Sequence, residues 1–338
     1  MSRFVWLLLV LLLGAVPASC DSRAPAAAPT SALINVVTTT GMIADVVRNI
    51  AGQRAQVTSL MGEGVDPHLY KPTRTDMAAL SRADLVLYNG LMLEGRMTDA
   101  LQRLQKSGKS VHAVTDAIAA DQLLSPEGFE GHPDPHVWMD PTLWARTAVY
   151  IRDQLIAADP AGETEYRSRA ESYLERLADL HDYSQQTLRA VPHKVLVTAH
   201  DAFNYFGRAY GFEVVGIQGI STESEAGVAD IEGLIDLLVS RKVPAVFVET
   251  TVSERNINAL IAGCRARGHA VKIGGSLYSD AMGAPGTYEG TYIGMVDHNV
   301  TSIARALGAE ASGLSRWTAG QSRSSGDPGA AGSAEGAP

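Results

Sequence analysis

Hydrophobic positions along the chain follow two alternating periods. Short β-branched and apolar runs at 34–38, 56–60, 84–88 and 110–114 predict strands. Between them, apolar residues recur at helical spacing over about 41–51, 73–82 and 95–107, and a further helix is expected at 141–158. Such a βαβ series predicts a parallel sheet with helices on its faces. Residues 163–190 break the rhythm. They carry no strand signal, and Tyr166, Ala170, Tyr173, Leu174, Leu177, Leu180 and Tyr183 mark one face of a long amphipathic helix. At ~1.5 Å per residue that helix is on the order of 40 Å long. After Pro192 the rhythm restarts, with strands at 194–199, 213–217, 245–249 and 270–273 and helices at about 201–210, 228–241, 254–267 and 288–307. The expected fold class is α/β: two βα lobes with mainly parallel sheets, joined by one long rigid helix.

The ends of the chain read differently. Arg3, an apolar run over 4–13 and the small residues Ala15-Val16-Pro17-Ala18-Ser19 predict a secretory signal over 1–19. The apolar run is too short to span a bilayer, which takes roughly 20 residues. Cys20 then stands where a lipoprotein carries its lipid. Residues 20–32 have the Ala/Pro/Ser composition of a tether, and 311–338 read as a disordered tail. The body is expected to divide into an N-terminal lobe (33–160), a connecting helix (161–192) and a C-terminal lobe (193–310). These features predict an exported protein, in the periplasm or on the outer face of the cytoplasmic membrane, lipid-anchored and monomeric. The net charge of −9 becomes −10 once Arg3 leaves with the signal, and no basic stripe with interleaved aromatics is present, which argues against a nucleic-acid partner. The second of the two cysteines, Cys264, lies in a helical pattern and is expected to be a buried thiol.

No nucleophile elbow, H-E-x-x-H, Walker A loop, G-x-G-x-x-G after the first strand, or C-x-x-C pair occurs. Instead a tripeptide appears twice, as Asp66-Pro67-His68 and Asp134-Pro135-His136, each followed by an apolar-aromatic pair. Proline restricts its own φ and the residue before it, so each histidine follows a rigid turn. His132 competes with His136 but lies outside the repeat. The strand at 194–199 runs straight into His200, with Asp201 placed to cap the helix that follows. The last strand runs into Gly274-Gly275, where a sharp turn is expected, and on to Asp280. Ligands of open α/β sheets bind beyond the carboxyl ends of strands. Three imidazoles and one carboxylate there make a first shell for a transition metal. Four protein ligands saturate a tetrahedral ion, which favours binding over hydrolysis, because catalytic zinc keeps an open position. No enzymatic activity is expected.

The chain resembles the TroA-like solute-binding proteins of zinc/manganese ABC importers over about residues 33–308. The resemblance is carried by Gly64-Val65-Asp66-Pro67-His68-Leu69-Tyr70, Tyr88-Asn89-Gly90-Leu91, Asp134-Pro135-His136-Val137-Trp138, Ala199-His200-Asp201-Ala202-Phe203, Gly219-Ile220-Ser221-Thr222-Glu223-Ser224-Glu225 and Gly290-Thr291-Tyr292. It implies metal held between two lobes by His68, His136, His200 and Asp280. It also implies capture of Zn2+ or Mn2+ as transported ligand for a membrane permease with its cytoplasmic ATPase. The third position holds His or Glu across the family; the His200 found here fits zinc or dual zinc/manganese binding. A long His-rich loop, frequent in dedicated zinc binders, is missing: residues 119–135 contain only His132. Glu249 ends a strand where it can orient a ligand imidazole. Glu223 and Glu225 are expected to order their own loop or to meet the permease. Free imidazoles imply that affinity falls below pH ~6. The alternatives are a secreted metal-dependent hydrolase, a surface adhesin with structural metal serving cell adhesion, and a siderophore or cobalamin carrier, which the histidine set disfavours.

Overall fold

The first half of the chain builds a parallel sheet from β1 (Ile34–Thr38), β2 (Ala55–Ser59), β3 (Leu85–Tyr88) and β4 (Val111–Ala113), in the order β2-β1-β3-β4. In the computed structural model, residues 33–315 are described, apart from 127, 128 and 130. The expected signal, Cys20, the tether and the tail beyond 315 lie outside the described residues. Helices α1 (Gly41–Ala51), α2 (Arg74–Arg82), α3 (Thr98–Lys106) and α4 (Pro141–Ala158) accompany this sheet. Local chemistry starts two of them. Thr73 and Asp76 form a reciprocal capping box for α2. Asp140 accepts from the Thr142 N–H ahead of α4, with Pro141 at the first helical position.

The long helix α5 (Glu163–Arg189) buries Tyr166, Ala170, Tyr173, Leu177, Leu180, Tyr183 and Leu188 along one side. Beyond it come β5 (Val195–His200), β6 (Glu213–Gln218), β7 (Ala245–Glu249) and β8 (Lys272–Leu277). They form two parallel pairs, β5–β6 and β7–β8, and β5 lies beside β7. Helices α6 (Asn204–Tyr210), α7 (Val228–Arg241), α8 (Arg255–Ala266) and α9 (Tyr292–Ala306) complete this half. Cys264 is buried in its core as a free thiol, as expected. The fold is α/β with parallel sheets on either side of a long helix. Among the described residues, no helix is long and apolar enough to cross a membrane.

Three local expectations need correction. The glycine pair at 274–275 is not a turn after the last strand but part of β8. The register slips there: Val246 pairs with Ile273 and Phe247 with Gly275, so Gly274 is the bulged residue. A Cβ on Gly274 would lie 2.7 Å from the Phe247 ring and 2.8 Å from Ala306, so glycine is required for α9 to press onto the strand. Helix α6 begins at Asn204, and Asp201 does not cap it. The chain at Asp201 runs against β6 so tightly that a Cβ on Gly216 would fall 2.4 Å from its nitrogen. Helix α9 begins at Tyr292, because Thr291 takes the N-cap and accepts from the Gly294 N–H.

The hydrophobic core is continuous across the long helix. One cluster runs from Ile34 and Val46 through Trp144, Tyr166, Tyr173 and Leu180 to Phe206, Val300 and Leu307. Helix α5 packs against α1 and α4 of the first half and against α6 and α9 of the second. It is therefore a spine shared by both halves rather than a free strut.

Candidate metal centre

Four buried side chains converge where strands of both halves end. His68 comes from the loop after β2, His136 from the loop before α4, His200 from the last position of β5, and Asp280 from just beyond β8. Each is at most 3% exposed. One ligand atom from each lies within 4.8 Å of all the others. The Nε2 atoms of His68 and His136 are 3.3 Å apart. Asp280 Oδ1 is 3.4 Å from His136 Nε2, while Oδ2 is 3.2 Å from His200 Nε2 and 3.7 Å from His68 Nε2. A tetrahedral ion with bonds of ~2.1 Å sets its ligand atoms about 3.4 Å apart. The four distances of 3.2–3.7 Å match that spacing. His200 Nε2 and both Asp280 oxygens are buried without an aligned hydrogen bond. Buried polar atoms are rarely left so, and a cation at their common focus satisfies them.

The repeated tripeptide has a physical explanation that its proline alone does not supply. In each copy the aspartate Oδ1 accepts from the histidine backbone N–H two residues on, at 2.8 Å for His68 and 2.9 Å for His136. This is an Asx-turn, and the proline between stiffens it. Asp134 goes further and also holds His136 Nδ1 at 2.7 Å, which aims Nε2 at the focus. Glu249 does the equivalent for His200, accepting from its N–H at 2.8 Å and lying 2.5 Å from its Nδ1. His132 is not in the group. It is exposed, and it lines a cleft of about 330 Å³ with His68, Arg96, Phe129 and Glu223.

The charges are strongly coupled. Burial opposes charge on His136, but the Asp134 and Asp280 carboxylates outweigh it and raise its pKa to about 9. Burial likewise opposes charge on His200, yet Glu249 and Asp280 hold it well above the usual imidazole range. Burial would raise Asp280, but the two imidazoles hold it well below the usual carboxylate range. His68 lacks such a carboxylate on its outer nitrogen among the described residues, and burial pushes it down to about 3.

Several residues that shape the site stand out only in three dimensions. Asp134 is one; its place in a repeated motif was the available signal. Glu94 is another. It is buried and accepts from the Thr39 hydroxyl (2.6 Å) and from the N–H groups of Asn89 (2.7 Å) and Gly90 (3.1 Å). Asn89 in turn donates to the Pro135 carbonyl inside the second tripeptide (3.0 Å). Leu91 and Met92, between those N–H groups and Glu94, adopt positive φ of 53° and 65°, a strained conformation for residues other than glycine. Glu223 reaches across to Arg96, 3.0 Å away in the other half.

Comparison with known proteins agrees with this geometry. A family model described as "ZnuA: Zinc-uptake complex component A periplasmic" matches residues 36–306. The manganese-binding lipoprotein MntA of Bacillus subtilis (strain 168) is 48% identical over 276 residues, covering 81% of this chain and 90% of that protein. The zinc-binding protein TroA of Treponema pallidum (strain Nichols) is 47% identical over 274 residues, covering 80% and 88%. The solved structure of the Treponema pallidum periplasmic zinc binding protein TroA superposes with a TM-score of 0.79, over 81% of this chain and 99% of that one. The chain therefore belongs to the ZnuA family, whose members are metal-binding substrate-binding proteins of ABC importers and not enzymes.

Proposed function

We propose that this protein captures zinc or manganese outside the cytoplasm, with His68, His136, His200 and Asp280 as ligands, and hands it to the permease of an ABC importer with its ATPase. The observation that carries the reading is the buried focus of three imidazole nitrogens and a carboxylate, drawn from both halves of the chain. Asp134 and Glu249 orient His136 and His200 from behind. The two relatives above, named for manganese and for zinc, are 48% and 47% identical, so both metals stay in the proposal. An N/O site favours zinc in intrinsic affinity. Asp280 offers one oxygen toward His136 and the other toward His200, which suits either four- or five-fold coordination. The relative named as a lipoprotein supports export and a lipid anchor, which we place at a signal over 1–19 and at Cys20, with 20–32 as tether; the body is proposed as a monomer. The lobes are assigned to 33–160 and 193–310, joined by 161–192 and followed by a tail at 311–338.

The test is thermal unfolding of the chelator-stripped protein with and without excess metal. At ~1,000 times Kd, binding to the native state adds about 4 kcal/mol. For a body of this size that is a rise of order 10 °C, at roughly 2–4 °C per kcal/mol. The expected result is a rise with zinc or manganese that is lost in the His68→Ala/Asp280→Ala double variant. No rise with any divalent metal would refute the site.

A further inference from the structure

Each Asp-Pro-His turn divides the oxygens of its aspartate between two tasks. Asp66 Oδ1 accepts from the His68 N–H at 2.8 Å, and Oδ2 accepts from the Thr222 hydroxyl at 2.6 Å. Asp134 Oδ1 accepts from the N–H and Nδ1 of His136, and Oδ2 accepts from Asn204 Nδ2 at 3.1 Å. Both aspartates belong to the first half of the chain, and both outer partners belong to the second. Each histidine is thus tied, through its aspartate, to the opposite side of the cleft.

The two ties differ in how firmly they are backed. Asn204 begins α6, which packs on the spine α5. Its neighbour Tyr205 is buried, with its hydroxyl on the Asp134 carbonyl at 2.9 Å. Thr222 is itself buried but lies in the connection between β6 and α7, followed by exposed Glu223, Ser224 and Glu225. Its partner turn runs into Leu69, which is 41% exposed. Of the three ligand imidazoles, His68 is the one that lines the solvent cleft. Among the described residues no carboxylate faces its Nδ1, whereas His136 has Asp134 and His200 has Glu249. Its anchorage rests on the Asx-turn, and that turn rests on Asp66.

We propose that Thr222 is a positioning residue: its hydroxyl, bound to Asp66, holds the first Asp-Pro-His turn against the second half and sets how fast His68 releases the metal. This rests on the four-residue metal site above. The hydrogen bond is charge-assisted and spans the cleft, so parting the two sides breaks it and frees the Asx-turn in one event. Once Asp66 Oδ2 turns to water, the turn gains conformational freedom and His68 leaves the metal more often. Opening at the cleft and loss of the first ligand are then one motion, beginning at the least supported imidazole.

The experiment uses the full chain loaded with Zn2+ and mixed with excess chelator, following the rate of zinc loss. Thr222→Val keeps the shape and removes the donor; Thr222→Ser keeps the donor. The expected result is zinc loss about tenfold faster or more in Thr222→Val, the scale of one hydrogen bond to a charged group. Thr222→Ser should stay close to the unmodified rate, and metal-free Thr222→Val should still unfold in one cooperative transition, lowered by no more than the loss of one hydrogen bond. An unmodified rate in Thr222→Val would overturn the proposal, as would equally fast loss in Thr222→Ser. His68→Ala separates the two levels. If it loses zinc while Thr222→Val behaves as the unmodified protein, only the positioning role fails; if it holds zinc undiminished, the metal site itself is wrong.

Discussion

At the scale of single residues, the charges around the site move the expected pH window. Free imidazoles would put the loss of affinity below pH ~6. Here His136 is raised to about 9 in the absence of metal and His200 well above its usual range. Protons therefore compete with metal for both nitrogens throughout the neutral range, while His68, pushed down to about 3, offers no competition. The sign follows from the raised values. A histidine with a raised folded pKa stabilises the metal-free fold fully below its unfolded value of ~6.5, and that contribution is lost as pH rises through the folded value. Metal binding needs the deprotonated ring, so protons weaken it at every pH below the folded value. Zinc affinity should rise steeply between pH 6.5 and 9, and binding at pH 7 should release protons. Calorimetry in buffers of differing ionisation enthalpy reads the released protons directly; a buffer-independent enthalpy at pH 7 would contradict the raised values.

At the scale of elements, boundaries were most legible where local chemistry and periodicity agree. Strand β1, helix α1 and helix α7 fall on their expected spans, and α5 lies within one residue of its own. The displaced boundaries lie where packing overrules a local signal. Gly274-Gly275 reads as a turn in sequence, yet these glycines serve close approach of β8 to Phe247 and α9. Gly274→Ala tests this. The added methyl overpacks the strand–helix contact, and overpacking costs typically about 1–3 kcal/mol. Chemical denaturation of the metal-free variant should show a loss of about 2 kcal/mol. Because β8 leads directly to Asp280, its zinc affinity should fall as well. Unchanged stability would mean that α9 can withdraw from the strand.

At the scale of the whole molecule, the continuous core sets the cooperativity. A chain read as lobe, helix and lobe suggests two units that melt separately. The cluster from Val46 through Tyr173 and Leu180 to Val300 instead packs both halves onto α5. Metal-free protein should therefore unfold in one calorimetric transition, with the measured enthalpy matching the van't Hoff value. Two resolved transitions would show that the halves are independent. At the cleft the halves are further joined by the Thr222–Asp66 and Arg96–Glu223 contacts.

The four candidate ligands, the α/β class and the long helix were readable from the chain alone, because each rests on local information. Hydrophobic period distinguishes strand from helix, a repeated tripeptide marks two presented histidines, and strand ends mark where His200 and Asp280 emerge. The partners of those residues were mostly hidden. Asp66 meets Thr222 and Asp134 meets Asn204, both across long stretches of sequence. No spacing rule connects such pairs, because the contact depends on how the two halves are docked on α5. The charge state of the imidazoles has the same origin. It is set by buried carboxylates that tertiary packing brings to them, so the chemical identity of the site is local while its strength and its release belong to the folded whole.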